Sequence, residues 1–198
     1  MLYDLAAEDE QRILRELYDV APFPVLTITT ERIFIDKLFA AEAYVRRSAD
    51  SQRAFEAAKH IYDLAVMIRQ PGILKLLSDE EQIKKLLDIR MEEEAGRLDG
   101  IPGVAPADFT FFDTAASNAS VRKAYSVMQA QYVLRPEDRI EYDTAMMALG
   151  EIRELLEQNR AWAQYRPSVK LMLHIRAEEA ERLNRASLKT RKQNDVER

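Results

Sequence analysis

Cysteine is absent from this chain of 198 residues, and histidine occurs only twice, at His60 and His174. The lack of cysteine excludes disulfide bridges, thiolate metal sites and cysteine nucleophiles. Two histidines far apart in sequence exclude a zinc site built from several histidines. Glycine and proline are scarce, at 5 and 7 residues, which excludes collagen-like chains and flexible Gly/Ser linkers. Composition excludes these classes but does not identify a function.

Long apolar runs are also absent. No stretch of about 18 apolar residues occurs, so no membrane span is expected. The first residues, MLYDLAAEDEQR, are acidic early and do not place a basic region before an apolar one, as a secretory signal does. Without cysteine or a signal, we expect a cytoplasmic protein.

The charge is distributed unevenly along the chain. Residues 160–198 carry 10 Lys/Arg and 5 Asp/Glu, a local charge of +5. The whole chain carries −5, so residues 1–159 carry −10. Such an acidic body repels polyanions at long range and is a poor non-specific nucleic-acid binder. The basic segment is either a modest basic patch or a solvated helix of mixed charge, and the composition favours the helix.

Apolar residues recur at helical spacing over most of the chain, which predicts a mainly α protein, a bundle of about five to seven helices. The predicted helices cover approximately Glu8–Val20, Glu31–Arg47, Arg53–Arg69, Ser78–Leu98, Ser120–Leu134, Glu137–Gln158 and Ser168–Lys192. Pro71-Gly72 is expected to close the third helix, and Ser78 to cap the fourth. Val25–Thr29 is short and rich in β-branched residues, and it is the one predicted strand. A single strand must pair with another, so part of a sheet is expected elsewhere.

Two charged residues stand out because their helical neighbours are apolar. Lys37 shares a helix face with Ile33, Phe34, Ala40 and Ala41, and Asp63 lies within HIYDLA. A charge in apolar surroundings is costly unless it is paired or faces a wet cleft. The spacing favours a partly buried Lys37–Asp63 salt bridge, or a lysine that reaches the surface. The alternative is a cleft in which the lysine receives a phosphate and the aspartate takes a proton or a metal ion.

The stretch TERIFIDKL, at residues 30–38, is followed by KHIYDL at residues 59–64. This pair of motifs resembles the AbiEii/AbiGii-type nucleotidyltransferase toxin family, whose members show an E-R-x-F-x-x-K-L helix and then a basic-x-x-Y-D-L helix. The resemblance covers roughly residues 20–155. It implies a transferase of the DNA-polymerase-β-like superfamily with a helical C-terminal half. It also implies Mg²⁺, a nucleoside triphosphate, an acceptor that in some members is RNA, and a cognate antitoxin.

Matched residue by residue, the motifs imply specific roles for three residues of this chain. Lys37 would contact the triphosphate, and Asp63 would be the late catalytic carboxylate. Arg32 is a weaker substrate-binding candidate, and it can equally be an exposed residue of the first helical turn. Lysine is a compact charge for phosphate, and an aspartate can deprotonate an acceptor hydroxyl.

One part of the family pattern is missing from the sequence. The family core has a Gly-Ser turn and a metal-binding Asp-x-Asp pair, and neither sequence pattern occurs in this chain. We therefore expect no metal site in this chain, and a chain that is inactive alone. The expected division is residues 1–29 as an N-terminal helix and the last strand of a truncated transferase core, 30–159 as a helical domain, and 160–198 as a basic helical tail. A non-catalytic helical interaction module remains the alternative. The oligomeric state is not predicted.

Overall fold

The computed structural model describes residues 7–18, 26–94, 96–97 and 99–166, together with residues 169–170, 172–174, 176–177, 180–181 and 183. Nearly all of the regular structure in this part of the chain is helical, which confirms the mainly α fold. The α-helices are α1 (Glu8–Tyr18), α2 (Thr30–Val45), α3 (Ser51–Met67), α4 (Pro71–Ser78), α5 (Glu80–Glu94), α6 (Phe111–Ser117), α7 (Ala119–Tyr132), α8 (Tyr142–Gln158) and α9 (Arg160–Ala163). Short 3₁₀ turns cover Pro106–Asp108 and Pro136–Asp138.

Helices α2 and α3 form an antiparallel hairpin at the centre of the fold. Lys37 contacts Asp63 near the open end, and Tyr44 contacts Arg53 near the connection, so the two helices run in opposite directions. Thr29 caps α2 by accepting the N–H of Arg32, and Asp50 caps α3. The face of α3 toward the core is rich in small residues, which allow close approach of the neighbouring helices: Ala54, Ala57, Ala58 and Ala65.

The remaining helices pack around this hairpin. Helices α7 and α8 contact α3, while α4, α5 and α6 contact α2, and α9 lies against α5 and α8. One continuous apolar core results, and its largest fully buried side chains include Tyr125, Phe34, Phe39 and Phe111. Burying a side chain of this size contributes about 2 kcal/mol or more. The core therefore fixes the rotation of α2 and α3, and with it the position of every polar side chain on their outer faces.

The predicted strand Val25–Thr29 is wrong over the residues that can be compared. Leu26–Thr29 form no strand, and Val25 lies outside the described residues. Thr29 has an extended backbone, with φ −69° and ψ 154°, because it is the cap of α2. No strand lies beside it in the described part of the chain, and the Leu26 side chain is fully exposed. A β-branched sequence makes the backbone extended, but a ladder also needs a partner.

Three helix boundaries differ from the sequence prediction. Pro71 begins α4 rather than closing α3, because the first turn of a helix tolerates the missing N–H of proline. Asp79, and not Ser78, caps α5 by accepting the N–H of Gln82 at 2.9 Å. The helix predicted from Glu137 begins at Tyr142, after the 3₁₀ turn. Phe111–Ser117 forms a further helix, which the apolar spacing of this stretch does not predict.

The division at residues 29 and 159 stays a prediction. Trp162 and Tyr165, which lie early in the 160–198 segment, are buried in the core. The predicted helix Ser168–Lys192 is described only at scattered positions up to 183, where the backbone is helical, and its remainder lies outside the described residues. None of the described helices is both long and apolar enough to cross a membrane.

Candidate functional site

The structure brings Lys37 and Asp63 together across the central hairpin. Lys37 Nζ lies 2.5 Å from Asp63 Oδ2, and the side chains remain 27% and 36% exposed. The apolar faces of α2 and α3 turn inward, so the two charged tips meet at the rim rather than in the core. An exposed ion pair of this kind stabilises a fold by only about 0–1 kcal/mol. The pair can therefore open at little cost when a stronger anion reaches the lysine.

His60 and Tyr44 form an aromatic wall beside this pair. Their rings stack with centroids 5.4 Å apart and an interplanar angle of 17°. Burial, together with the nearby charges of Lys37 and Lys59, lowers the pKa of His60 to about 3. The imidazole is therefore neutral at physiological pH. Its helical spacing, three residues before Asp63, is the signal that could have drawn attention to it in the sequence.

Asp63 also lines a groove of about 700 Å³ between α3, α7 and residues 133–138. The groove mixes aromatic, apolar and basic groups, including Tyr132, Leu134 and Lys59. The Lys59 ammonium lies over the Tyr132 ring at 5.4 Å, and the Tyr62 hydroxyl donates to the Asp138 carbonyl at 2.9 Å. Cations beside stacking surfaces suit single-stranded nucleic acid. The Asp63 carboxylate therefore borders open space on the side that faces this groove.

Arg32 is placed apart from this pair and is engaged elsewhere. Its guanidinium lies 3.2 Å from Asp36 Oδ1 and 2.6 Å from Glu93 Oε2, and its side chain is largely buried. These contacts tie the first turn of α2 to the end of α5. In this conformation its charge is balanced by two carboxylates, so a substrate would have to compete with both.

The donor groups at the Lys37–Asp63 pair do not fit a magnesium site. Mg²⁺ prefers several oxygen ligands in octahedral geometry. Asp63 supplies one carboxylate, which Lys37 already neutralises, and the described residues contain no group of three or more His, Asp or Glu side chains that could hold a metal ion. We therefore derive no step through a metal ion bound by these residues.

A family model described as "Nucleotidyl transferase AbiEii toxin, Type IV TA system" matches residues 4–170. No curated protein and no solved structure matches the chain. The family match includes both motif-bearing helices and extends beyond residues 20–155 at both ends. It confirms the resemblance drawn from TERIFIDKL and KHIYDL.

Proposed function

Since the chain belongs to the AbiEii nucleotidyl transferase toxin family, we propose that Lys37 and Asp63 are the nucleotide-handling residues of a toxin that acts in the cytoplasm. The family is that of toxins in type IV toxin–antitoxin systems, which indicates an antitoxin as partner. The observation that carries the proposal is the position of the pair. Two charges from separate apolar helices meet at an accessible rim, next to a groove large enough for a polymer end.

In this proposal the ion pair is the resting form of the site. A triphosphate carries several negative charges, and it draws Lys37 away from the single charge of Asp63. Opening the pair costs little, because both side chains are partly hydrated. The exchange leaves Lys37 on the phosphates and frees Asp63 to act as a base. The same contact that looks structural in the absence of nucleotide thereby links substrate binding to activation of the carboxylate.

In an active site completed by the metal-binding carboxylates that this sequence lacks, the chemical step is transfer of a nucleotidyl group to an acceptor hydroxyl. The acceptor oxygen forms a bond to the α-phosphorus, the bond from that phosphorus to the bridging oxygen breaks, and pyrophosphate leaves. Asp63 takes the proton of the hydroxyl, which is the role of a general base. Lys37 stabilises the negative charge on the phosphates during bond cleavage. Magnesium, if carried by the nucleotide, supplies further charge neutralisation.

The acceptor in this proposal is an RNA end that lies in the groove beside Asp63. Tyr132 offers a ring for stacking of a base. Lys59 and Arg135 offer charge for the backbone, in competition with their partners Glu56 at 3.0 Å and Asp138 at 3.8 Å. This local composition contrasts with the net charge of −10 over residues 1–159, which disfavours non-specific binding. Recognition is therefore confined to the groove and does not spread over the surface.

We further propose that the chain is inactive by itself. Two-metal phosphoryl transfer needs convergent carboxylates, and the sequence holds neither the Gly-Ser turn nor the Asp-x-Asp pair of the family core. With labelled nucleoside triphosphate, magnesium and RNA, we expect no transfer by this chain. Measurable transfer contradicts this part of the proposal and points to carboxylates that the sequence pattern does not reveal.

Nucleotide binding tests the site independently of turnover. We expect a nucleoside triphosphate to shift the side-chain resonances of Lys37 and Asp63, and Lys37→Met to weaken binding by about tenfold or more. Lys85→Met is the matched control, because Lys85 is exposed on α5 and lines none of the site. If both resonances stay unchanged at saturating nucleotide, the pair serves only to join α2 and α3. The non-catalytic interaction module is then the better description.

A further inference from the structure

A second cavity lies on the outer face of α2, one turn beyond Lys37. It has a volume of about 260 Å³, and its wall includes Ala40, Tyr44, Arg90 and Arg97. Ala40 follows Lys37 by three residues, so the two positions are neighbours on one helix face. The small side chains of Ala40 and Ala43 leave the space that the two arginines border.

Arg90 is an unusual residue for the wall of a cavity. Its side chain is only 3% exposed, and its Nε and Nη1 atoms have no hydrogen-bond partner among the residues that the structure describes. Glu94 and Asp36 lie within ion-pair distance, at 2.6 Å from Nη2 and 3.2 Å from Nε. These carboxylates balance the charge but leave the Nη1 donors unused. A buried guanidinium with unused donors is costly, and an oxyanion is the ligand that its planar fork fits.

The rest of the wall adds positive charge and a hydroxyl. Arg97 Nη2 lies 3.0 Å from Glu93 Oε2 and 3.9 Å from Asp36 Oδ1, and its side chain is 44% exposed, so several of its five donors remain available. Asp99 also borders the cavity, but its carboxylate is held by Arg53 at 2.7 Å and by the Tyr44 hydroxyl at 3.3 Å. Phe39 fixes the plane of the buried guanidinium, whose carbon lies 4.9 Å from the ring centre. Arg97 thus faces the cavity, Arg90 borders it with a buried guanidinium, and the carboxylate in the wall, Asp99, is already paired.

We propose that this cavity binds a phosphoryl oxyanion between Arg90 and Arg97. Burial lowers the pKa of Arg90 and the charge of Arg97 adds to this effect, while Glu94, Asp36 and Glu93 act in the opposite direction. The phosphoryl group belongs to the nucleotide donor or to the backbone of the nucleic-acid acceptor. The choice of these two sources rests on the proposed function, whereas the affinity of the cavity for an oxyanion does not.

Inorganic pyrophosphate is the probe for this site. Side-chain Nε–H resonances of Arg90 and Arg97 are followed by NMR during titration of the intact chain, with sodium chloride at matched ionic strength as reference. We expect saturable shifts at both arginines with pyrophosphate and none with chloride. Arg97→Gln should weaken binding by about tenfold, and Arg97→Lys by less, because a lysine keeps the charge but loses the fork.

Arg122→Gln is the matched control, since Arg122 is an exposed arginine on α7 that does not border the cavity. Equal affinity in the parent and in Arg97→Gln, shifts that chloride reproduces, or the absence of saturation each overturns the proposal. Competition with pyrophosphate by a nucleoside triphosphate assigns the site to the donor, and competition by a short single-stranded RNA assigns it to the acceptor. If neither competes, the phosphoryl assignment is overturned.

Lys37→Met separates this inference from the proposed function. Pyrophosphate shifts at Arg90 and Arg97 that persist in this variant, without any nucleotide effect at Lys37 in the parent, contradict the proposed function alone. The reverse pattern, in which nucleotide shifts Lys37 and pyrophosphate leaves both arginines unchanged, contradicts the oxyanion cavity alone.

Discussion

Glu42 Oε2 accepts the backbone N–H of Phe111 at 2.8 Å, so a fully buried carboxylate of α2 caps the N-terminus of α6. The same oxygen accepts the N–H of Thr110 at 2.9 Å, and Oε1 accepts the Thr110 hydroxyl. Thr110 occupies the cap position, but its own side chain makes no cap bond. The first turn of a helix carries unpaired N–H groups and partial positive charge, which a carboxylate satisfies.

Replacing this carboxylate should destabilise the protein substantially. We expect Glu42→Gln to lower the free energy of unfolding by about 2–4 kcal/mol, because the amide keeps one acceptor but loses the charge, places NH₂ donors among N–H groups, and weakens the pair with Arg46. Urea denaturation measures the change. Glu92→Gln, at an exposed position of α5, is the control and should stay within about 0.5 kcal/mol of the parent. A similar small effect at Glu42 contradicts the capping role.

The Lys37–Asp63 pair should contribute little to stability. We expect Lys37→Met to change the free energy of unfolding by less than about 1 kcal/mol, since both partners are partly exposed. A double-mutant cycle with Asp63→Asn measures the coupling between the two side chains. A coupling of several kcal/mol would falsify the view that the pair opens readily for a triphosphate.

His60 should make stability depend on pH in the acidic range. Its pKa is about 3 in the folded protein and 6.5 in the unfolded chain, so between these values only the unfolded state takes up the proton. Acidification therefore favours unfolding, and the loss due to His60 reaches about 2 kcal/mol at pH 5. We expect His60→Phe, which keeps a ring against Tyr44, to lose less stability between pH 7 and pH 5 than the parent. Denaturation at the two pH values tests this, and equal losses contradict it.

Gln129 should hold the segment that borders the groove next to Asp63. Its amide nitrogen donates to the Ile140 carbonyl at 2.8 Å, and its amide oxygen accepts the Ile140 N–H at 2.7 Å. We expect Gln129→Met to cost about 2 kcal/mol, because two hydrogen bonds are lost. Hydrogen exchange of residues 133–141 should accelerate. Gln131→Met, at an exposed position of the same helix, is the control, and identical exchange in both variants contradicts the role of Gln129.

Local patterns were sufficient to predict both helices of the central hairpin. The apolar spacing around Lys37 and Asp63 also favours a salt bridge between these two residues, and the structure shows this ion pair. The same patterns do not predict whether a proline ends one helix or begins the next, because Pro71 is compatible with both positions. The β-branched residues up to Thr29 likewise predict a strand, whereas the extended backbone of Thr29 serves as the cap of α2.

Contacts between distant segments were beyond the reach of the sequence. Glu42 lies in the apolar stretch AAEAYV, and nothing there indicates that its partners are at residues 110 and 111. Arg90 and Arg97 occur in a strongly charged helix and loop, where a solvated surface is the usual outcome. Only the packing of α5 against α2 buries Arg90 and creates the cavity. Long-range pairing of polar groups depends on tertiary geometry, which periodicity does not encode.

Trp162 is the only tryptophan of the chain, and it is buried against Phe109, with ring centroids 5.5 Å apart at an angle of 88°. The tryptophan fluorescence of the protein therefore reports on one position, where the short helix α9 packs against the other helices. A red shift of that emission, at denaturant concentrations that leave the far-ultraviolet dichroism intact, would record the release of α9 before the hairpin melts. A built-in optical probe is thus present without any label.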